Sequence, residues 1–90
     1  LVLDLVEVIV SADPLPRRKP DPYPYQLTAE KLALPPDRLI GFEDALPGAR
    51  SAKGAGLFTA AIGPEATSPD FAFCDLQAAD YPDLRRQLGM

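Results

Sequence analysis

Ninety residues hold one small domain and no more. Lysine and arginine together number 9 and aspartate and glutamate 13, a net charge of −4 that suits neither nucleic acid nor a polybasic membrane surface. One cysteine, Cys74, excludes an internal disulfide and a thiolate zinc cluster, and the absence of histidine removes His-based triads, His general bases and His-ligated metals. Hydrophobic residues make up 47% of the chain, too many for disorder. The apolar runs stay well short of the ~18–20 residues of a bilayer span. The chain is expected to be soluble and cytoplasmic, with a chemistry built from carboxylate, lysine, hydroxyl and one thiol. It opens Leu1-Val2-Leu3-Asp4-Leu5 with no initiator Met, charged leader or cleavage site, as expected of a segment cut from something longer.

Val8-Ile9-Val10 is a β-branched run and predicts a buried strand, closed by the turn signal Ser11-Ala12-Asp13-Pro14. Residues 13–21 form a proline-rich basic loop that contains Arg17-Arg18-Lys19. A helix is predicted next, with Asp21 as N-cap and Pro22 at its first position. Tyr25, Ala29, Leu32 and Ala33 share its apolar face, Glu30 and Lys31 face water, and Pro35-Pro36 stops it. Leu39–Phe42 is short and apolar, a strand buried on both faces, with Glu43-Asp44 at its carboxyl end. A second helix is predicted over Pro47–Ala55, with Ala49 and Ala52 inward and Gly54 and Gly56 available as caps. Leu57–Ile62 is the third strand, Phe71–Cys74 the expected fourth, and Tyr81–Leu88 a terminal helix. Strands alternating with helices point to an α/β fold with a Rossmann-like parallel sheet.

Sites in open parallel sheets gather outside the carboxyl ends of the strands. Glu43 and Asp44 fall there, and adjacent carboxylates suit Mg²⁺, a hard cation that takes oxygen ligands. Lys19 sits in the loop after the first strand, just before a helix N-terminus, where a point charge and the helix's partial charge favour phosphate. Taken singly, each feature has a plain structural explanation: a cap, a solvated turn, a solvated loop charge. Ser11 lacks a base to activate it, and Cys74 reads as a small core residue. The prolines between Pro14 and Pro24 also admit reading as a linear ligand for an SH3-type domain, although the second run is better explained as a helix start.

In combination they point to a family. Lys19-Pro20-Asp21-Pro22-Tyr23-Pro24-Tyr25 resembles the Lys-Pro-x-Pro-x-x-Tyr stretch of the haloacid dehalogenase (HAD) superfamily, in its phosphoglycolate phosphatase and β-phosphoglucomutase-like branch. Leu34-Pro35-Pro36-Asp37-Arg38, Phe42-Glu43-Asp44-Ala45, Pro47-Gly48-Ala49 and Ala52-Lys53-Gly54-Ala55-Gly56 follow in the family's order and spacing. The resemblance spans roughly residues 7–63. It implies phosphate-ester hydrolysis through an aspartyl-phosphate, with Mg²⁺ bridging the nucleophile and the phosphate. By resemblance, Lys19 is the catalytic and phosphate-binding lysine, and Glu43 and Asp44 are the metal-binding acids, Asp44 the surer. The substrate implied for the complete enzyme is a small phosphorylated metabolite.

The departures shape what is expected of this chain. No Asp-x-Asp nucleophile motif occurs in it, the second-motif Ser/Thr strand is missing, and so is the cap domain that selects the substrate. Arg18 stands where glycine is common and Leu46 where a smaller residue is usual. Residues 1–90 are therefore expected to be the C-terminal part of a HAD-like core domain, inactive alone. In the family's sheet the two missing strands lie between the strand at Val8–Val10 and that at Leu39–Phe42. The expected consequence is self-association through exposed sheet edges, unless the first strand swings in to pair with the second. The alternatives are a non-catalytic half-domain that binds phosphate, Mg²⁺ or a partner protein, and a phosphosugar mutase as the parent.

Overall fold

The computed structural model describes residues 6–8 and 18–89. In chain order it runs β1 (Val6–Val8), α1 (Tyr23–Leu32), β2 (Leu39–Glu43), α2 (Leu46–Gly54), β3 (Phe58–Ile62), β4 (Leu76–Ala78) and α3 (Tyr81–Gln87). The strands form one parallel sheet in the order β1-β2-β3-β4, as the alternation of strand and helix requires. β1 pairs directly with β2, Val6 opposite Leu39 and Val8 opposite Gly41. The strand expected at Val8–Val10 thus starts earlier, and Ile9 and Val10 lie outside the described residues. Among the described residues, the two strands that the family resemblance places between β1 and β2 have no counterpart, and the first strand pairs with the edge of the second.

A strand's period of two divides the core into two layers. Leu39 of β2 faces α1 and α2, joining Tyr25, Ala29, Ala52, Ala55 and Leu57. Ile40 faces the other side and packs with Ala60, Ile62, Ala78 and Leu84, the last from α3. A third cluster of Ala49, Ala61, Ala66 and Phe71 fills the space between α2, β3 and the β3–β4 connection. The next residue of β2 on the helix side is Gly41. A Cβ there would meet Ala52 Cβ at 3.1 Å and Tyr25 Cε1 at 3.3 Å, so the missing side chain lets the tyrosine ring lie against the strand.

Four readings need correction. Phe71–Cys74 is not a strand. The Ser68 side chain accepts from Asp70 N and caps a 3-10 turn at Pro69–Phe71, and Ala72 and Cys74 spend their N–H groups on carbonyls three residues back. The fourth strand is Leu76–Ala78. Helix α1 begins at Tyr23, not Pro22; Asp21 Oδ1 still accepts from Tyr23 N at 2.8 Å, which satisfies one of the orphan donors of the first turn. With Pro24 inside this helix, an extended polyproline ligand over residues 20–25 is ruled out. Leu32 is 47% exposed and Ala33 also faces solvent, so the buried face of α1 narrows to Pro24, Tyr25 and Ala29.

The second helix ends as expected in a glycine cap. Gly56 has φ +92°, its N–H meets Lys53 O, and Leu57 N–H reaches Ala52 O, the paired bonds of a Schellman motif. α3 is capped at its start by Asp80, which accepts from Asp83 N, while Asp83 accepts from Ala79 N. The Ala79 bond comes first among the causes that hold the partly exposed Asp83 carboxyl below the usual range; Gln87 and Arg86 add to it, and slight burial opposes it.

Candidate functional site

The period of β2 decides where Glu43 goes. Leu39, Gly41 and Glu43 share the face toward α1 and α2, so the Glu43 side chain comes off the end of the strand on the side of the Tyr25 hydroxyl. Its carboxylate is about nine-tenths buried, with 10% of the side chain exposed, and a charge so placed must be paired. Lys19 Nζ supplies the partner, 3.0 Å from Oε2 and 3.3 Å from Oε1. The Tyr25 hydroxyl donates to the same Oε2. The Lys19 ammonium also stands 5.6 Å from the centroid of the Tyr25 ring, within the range of a cation–π attraction.

Tyr25 is 1% exposed. Burial first, then the hydrogen bond to Glu43 and that residue's charge, push its phenol far above the ordinary tyrosine range. It stays protonated at every physiological pH and acts only as a donor to Glu43.

Two neighbours hold this arrangement in place. Gly48, in the first turn of α2, lies so close to Glu43 that a Cβ on it would overlap the carboxylate. The Glu43 charge therefore sits at the positive end of that helix, where an anion is favoured. The loop that carries Lys19 is fastened from the other side. Asp21 N bonds Arg18 O at 2.9 Å, and the fully buried Ser51 of α2 donates its hydroxyl to Asp21 O at 2.7 Å. The Lys19–Pro20 peptide within this turn is cis.

Asp44 follows at the carboxyl end of β2 and is exposed. Gly63, at the end of β3 with φ +139°, places its α-carbon so that a side chain there would begin 3.5 Å from Asp44 Cβ. Asp44 thus stands between the carboxyl ends of two adjacent strands. Among the described residues no three acidic or cysteine side chains are grouped to hold a metal ion. Among the described residues, Asp44 offers an exposed carboxylate at this strand end, and the Glu43 carboxylate accepts from Lys19 and Tyr25.

Of the residues singled out in the sequence, the fold brings Lys19 and Glu43 into contact from opposite ends of a 24-residue separation and sets Asp44 beside them in the chain. Sequence reasoning placed Tyr25 on the core face and at the end of the family stretch without giving it a role at the site, and did not single out Ser51. The available signal for Tyr25 was its hydroxyl, since a tyrosine on a buried face needs a partner for its O–H.

The family model described as haloacid dehalogenase-like hydrolase matches residues 2–62 of this chain. The chain belongs to that family. Among curated relatives, this HAD-like chain is 43% identical to protein CbbY of Cereibacter sphaeroides over 54 residues, 60% of this chain and 24% of that protein. It is 34% identical to validoxylamine A 7'-phosphate phosphatase of Streptomyces hygroscopicus subsp. limoneus over 83 residues, 92% of this chain and 39% of that one. Among solved structures, CbbY from Rhodobacter sphaeroides in complex with phosphate superposes with a TM-score of 0.62 at 38% identity, covering 71% of this chain and 29% of that one. A β-phosphoglucomutase from Clostridium difficile, at 24% identity, shares the fold with a TM-score of 0.66 over 83% of this chain and 32% of the other. The HAD-like chain thus spans well under half the length of the proteins it matches. No helix among the described residues is long and apolar enough to cross a membrane.

Proposed function

We propose that this chain carries the lysine-and-carboxylate part of a phosphate-ester site, that of a phosphatase or a phosphosugar mutase acting on a small phosphorylated metabolite. The observation that carries the reading is the position of Lys19. Its ammonium is held by Glu43 at the carboxyl end of β2 yet keeps 30% of its side chain exposed. Phosphoryl transfer is mostly positioning and charge neutralisation, and a lysine fixed at a strand end serves as the point charge that meets a phosphate oxygen. Asp44 is the carboxylate this chain would offer to Mg²⁺, which when bound neutralises phosphate charge. Glu43 serves Lys19 as counter-ion in this reading, in preference to the metal.

The nucleophile comes from elsewhere, since these 90 residues hold no Asp-x-Asp. The similar proteins that bear phosphatase names or were crystallised with phosphate support the substrate class. One observation favours a second reading, a non-catalytic half-domain that binds phosphate or a partner: β1 pairs directly with β2, so the sheet is continuous without further strands.

The test mixes the 90-residue chain with the separately expressed N-terminal part of CbbY from Cereibacter sphaeroides and follows phosphate release with Mg²⁺ present. Activity is expected only in the mixture, lost on Lys19→Ala and dependent on more Mg²⁺ after Asp44→Asn. Fragments that associate in sedimentation yet release no phosphate would favour the binding module. Activity indifferent to Lys19→Ala would overturn the site.

A further inference from the structure

We infer that Tyr25 is a positioning residue for Lys19, acting through the Glu43 carboxylate. The inference rests on the phosphate reading above for its purpose, but not for its geometry. Lys19 is a flexible side chain with four methylenes, and an exposed ammonium of this kind ordinarily samples many rotamers. Here its freedom is removed in two ways by one residue. The Tyr25 O–H occupies Oε2 of Glu43, which fixes the carboxylate that Lys19 grips at 3.0 and 3.3 Å. The face of the same ring attracts the ammonium from 5.6 Å.

The arrangement also sets how tightly Lys19 is held. A nearly buried glutamate that faced a lysine alone would hold that cation strongly and compete with any incoming phosphate. With the phenol sharing Oε2, part of the carboxylate's hydrogen-bonding demand is met by a neutral donor. An ammonium has three N–H groups, and two contacts to Glu43 leave the third without an acceptor among the described residues. Tyr25 itself is anchored independently of the pair: its ring lies against Gly41 and packs with Ala29, Leu39, Ala52 and Leu57. It therefore transmits the position of the core to the charge at the strand end.

Nuclear magnetic resonance of the full 90-residue chain tests this without any need for turnover. In the wild type the ε-methylene protons of Lys19, whose ammonium stands 5.6 Å from the Tyr25 ring centroid, are expected to be displaced by the ring current. Tyr25→Phe keeps the ring and deletes only the hydroxyl. If the hydroxyl positions the lysine through Glu43, at least half of that displacement is lost while the melting curve stays cooperative. The half-saturating concentration of inorganic phosphate, read on the same resonance, rises roughly threefold, the effect of one lost hydrogen bond. Glu43→Gln is the second variant and is expected to release Lys19 as well, even where Tyr25→Phe fails to fold. An unchanged Lys19 resonance in a folded Tyr25→Phe, or in Glu43→Gln, overturns the inference. A wild-type chain whose Lys19 ignores phosphate, with the hydroxyl-dependent displacement intact, supports the positioning role and overturns the phosphate reading alone.

Discussion

Gly48 leaves no room for a side chain beneath the Glu43 carboxylate; a β-carbon on it would overlap that group, and Cγ of Glu43 would be 3.2 Å away. Two elements separated by a tight turn are thus locked together at one atom position. Replacing Gly48 with alanine sets two effects against each other. Alanine is better in a helix by up to about 1 kcal/mol, while forcing an extra carbon into a filled space typically costs about 1–3 kcal/mol. The carboxylate cannot simply rotate away, because Lys19 and Tyr25 both hold it. Gly48→Ala is therefore expected to destabilise the chain by about 1 kcal/mol in urea unfolding. A gain in stability would mean that Glu43 moves aside without loss.

Asp75 provides a contrast between a bond worth much and one worth little. Its Oδ2 accepts from the backbone N–H of Thr59 at 2.8 Å, and Thr59 is fully buried. The same carboxylate pairs with Lys53 at 2.9 Å, but that lysine is 40% exposed. Asp75→Ala leaves a buried N–H without its acceptor and should cost about 1–3 kcal/mol. Lys53→Ala removes only a surface ion pair and should cost under about 1 kcal/mol. Denaturation of the two variants side by side checks the order; equal losses would show that the ion pair, not the backbone bond, ties the β3–β4 connection to the sheet.

Ala33 closes helix α1 in the left-handed conformation, with φ 54°. Its N–H reaches Glu30 O at 3.0 Å, and Leu34 N–H reaches Ala29 O at 3.2 Å. Glycine is the usual residue at such a cap because a Cβ is strained there. Ala33 is exposed, so no packing is lost on removing its methyl group. Ala33→Gly is expected to stabilise the chain by about 1 kcal/mol, a rare case of a helix-end glycine gaining over alanine. The midpoint of urea unfolding reads it, with an unchanged slope.

Where the sequence was legible, a single local rule sufficed. Leu39–Phe42 and Leu57–Ile62 are apolar runs too short to be anything but buried strands, and both are strands within a residue of the expected bounds. Gly56 announces the end of α2 because only a residue tolerant of positive φ closes a helix there. The failures arise where two signals compete. Phe71 and Phe73 alternate as a strand would, yet Ser68-Pro69-Asp70 starts a turn just upstream, and its hydrogen bonds take the N–H groups first. Leu32 fits a helical face by spacing, but α1 ends beside it and the core does not extend that far. At the site, Lys19 and Glu43 were legible as charges at the ends of strands and loops, and their contact was not, because no local pattern reports a pairing over 24 residues. The role of Tyr25 was hidden for the same reason: spacing places a residue on a face but says nothing of what its hydroxyl meets.

That hydroxyl also dictates how the protein should respond to alkali. Burial and the proximity of the Glu43 carboxylate raise the Tyr25 phenol far above the usual value near 10, so the folded state keeps a proton that the unfolded chain gives up. For a group raised in this way the stabilisation is fully present below the unfolded value and declines as pH rises beyond it. Stability should therefore hold level with respect to Tyr25 through neutral pH and fall from about pH 10 upward. In a spectrophotometric titration, Tyr25 should ionise only as the fold is lost. Tyr25→Phe removes the dependence: its stability at neutral pH is lower by the lost hydrogen bond, about 1–3 kcal/mol for a charged acceptor, but its curve above pH 10 should be flatter than that of the wild type. Parallel curves for the two proteins would show that Tyr25 ionises freely and that Glu43 does not hold its proton in place.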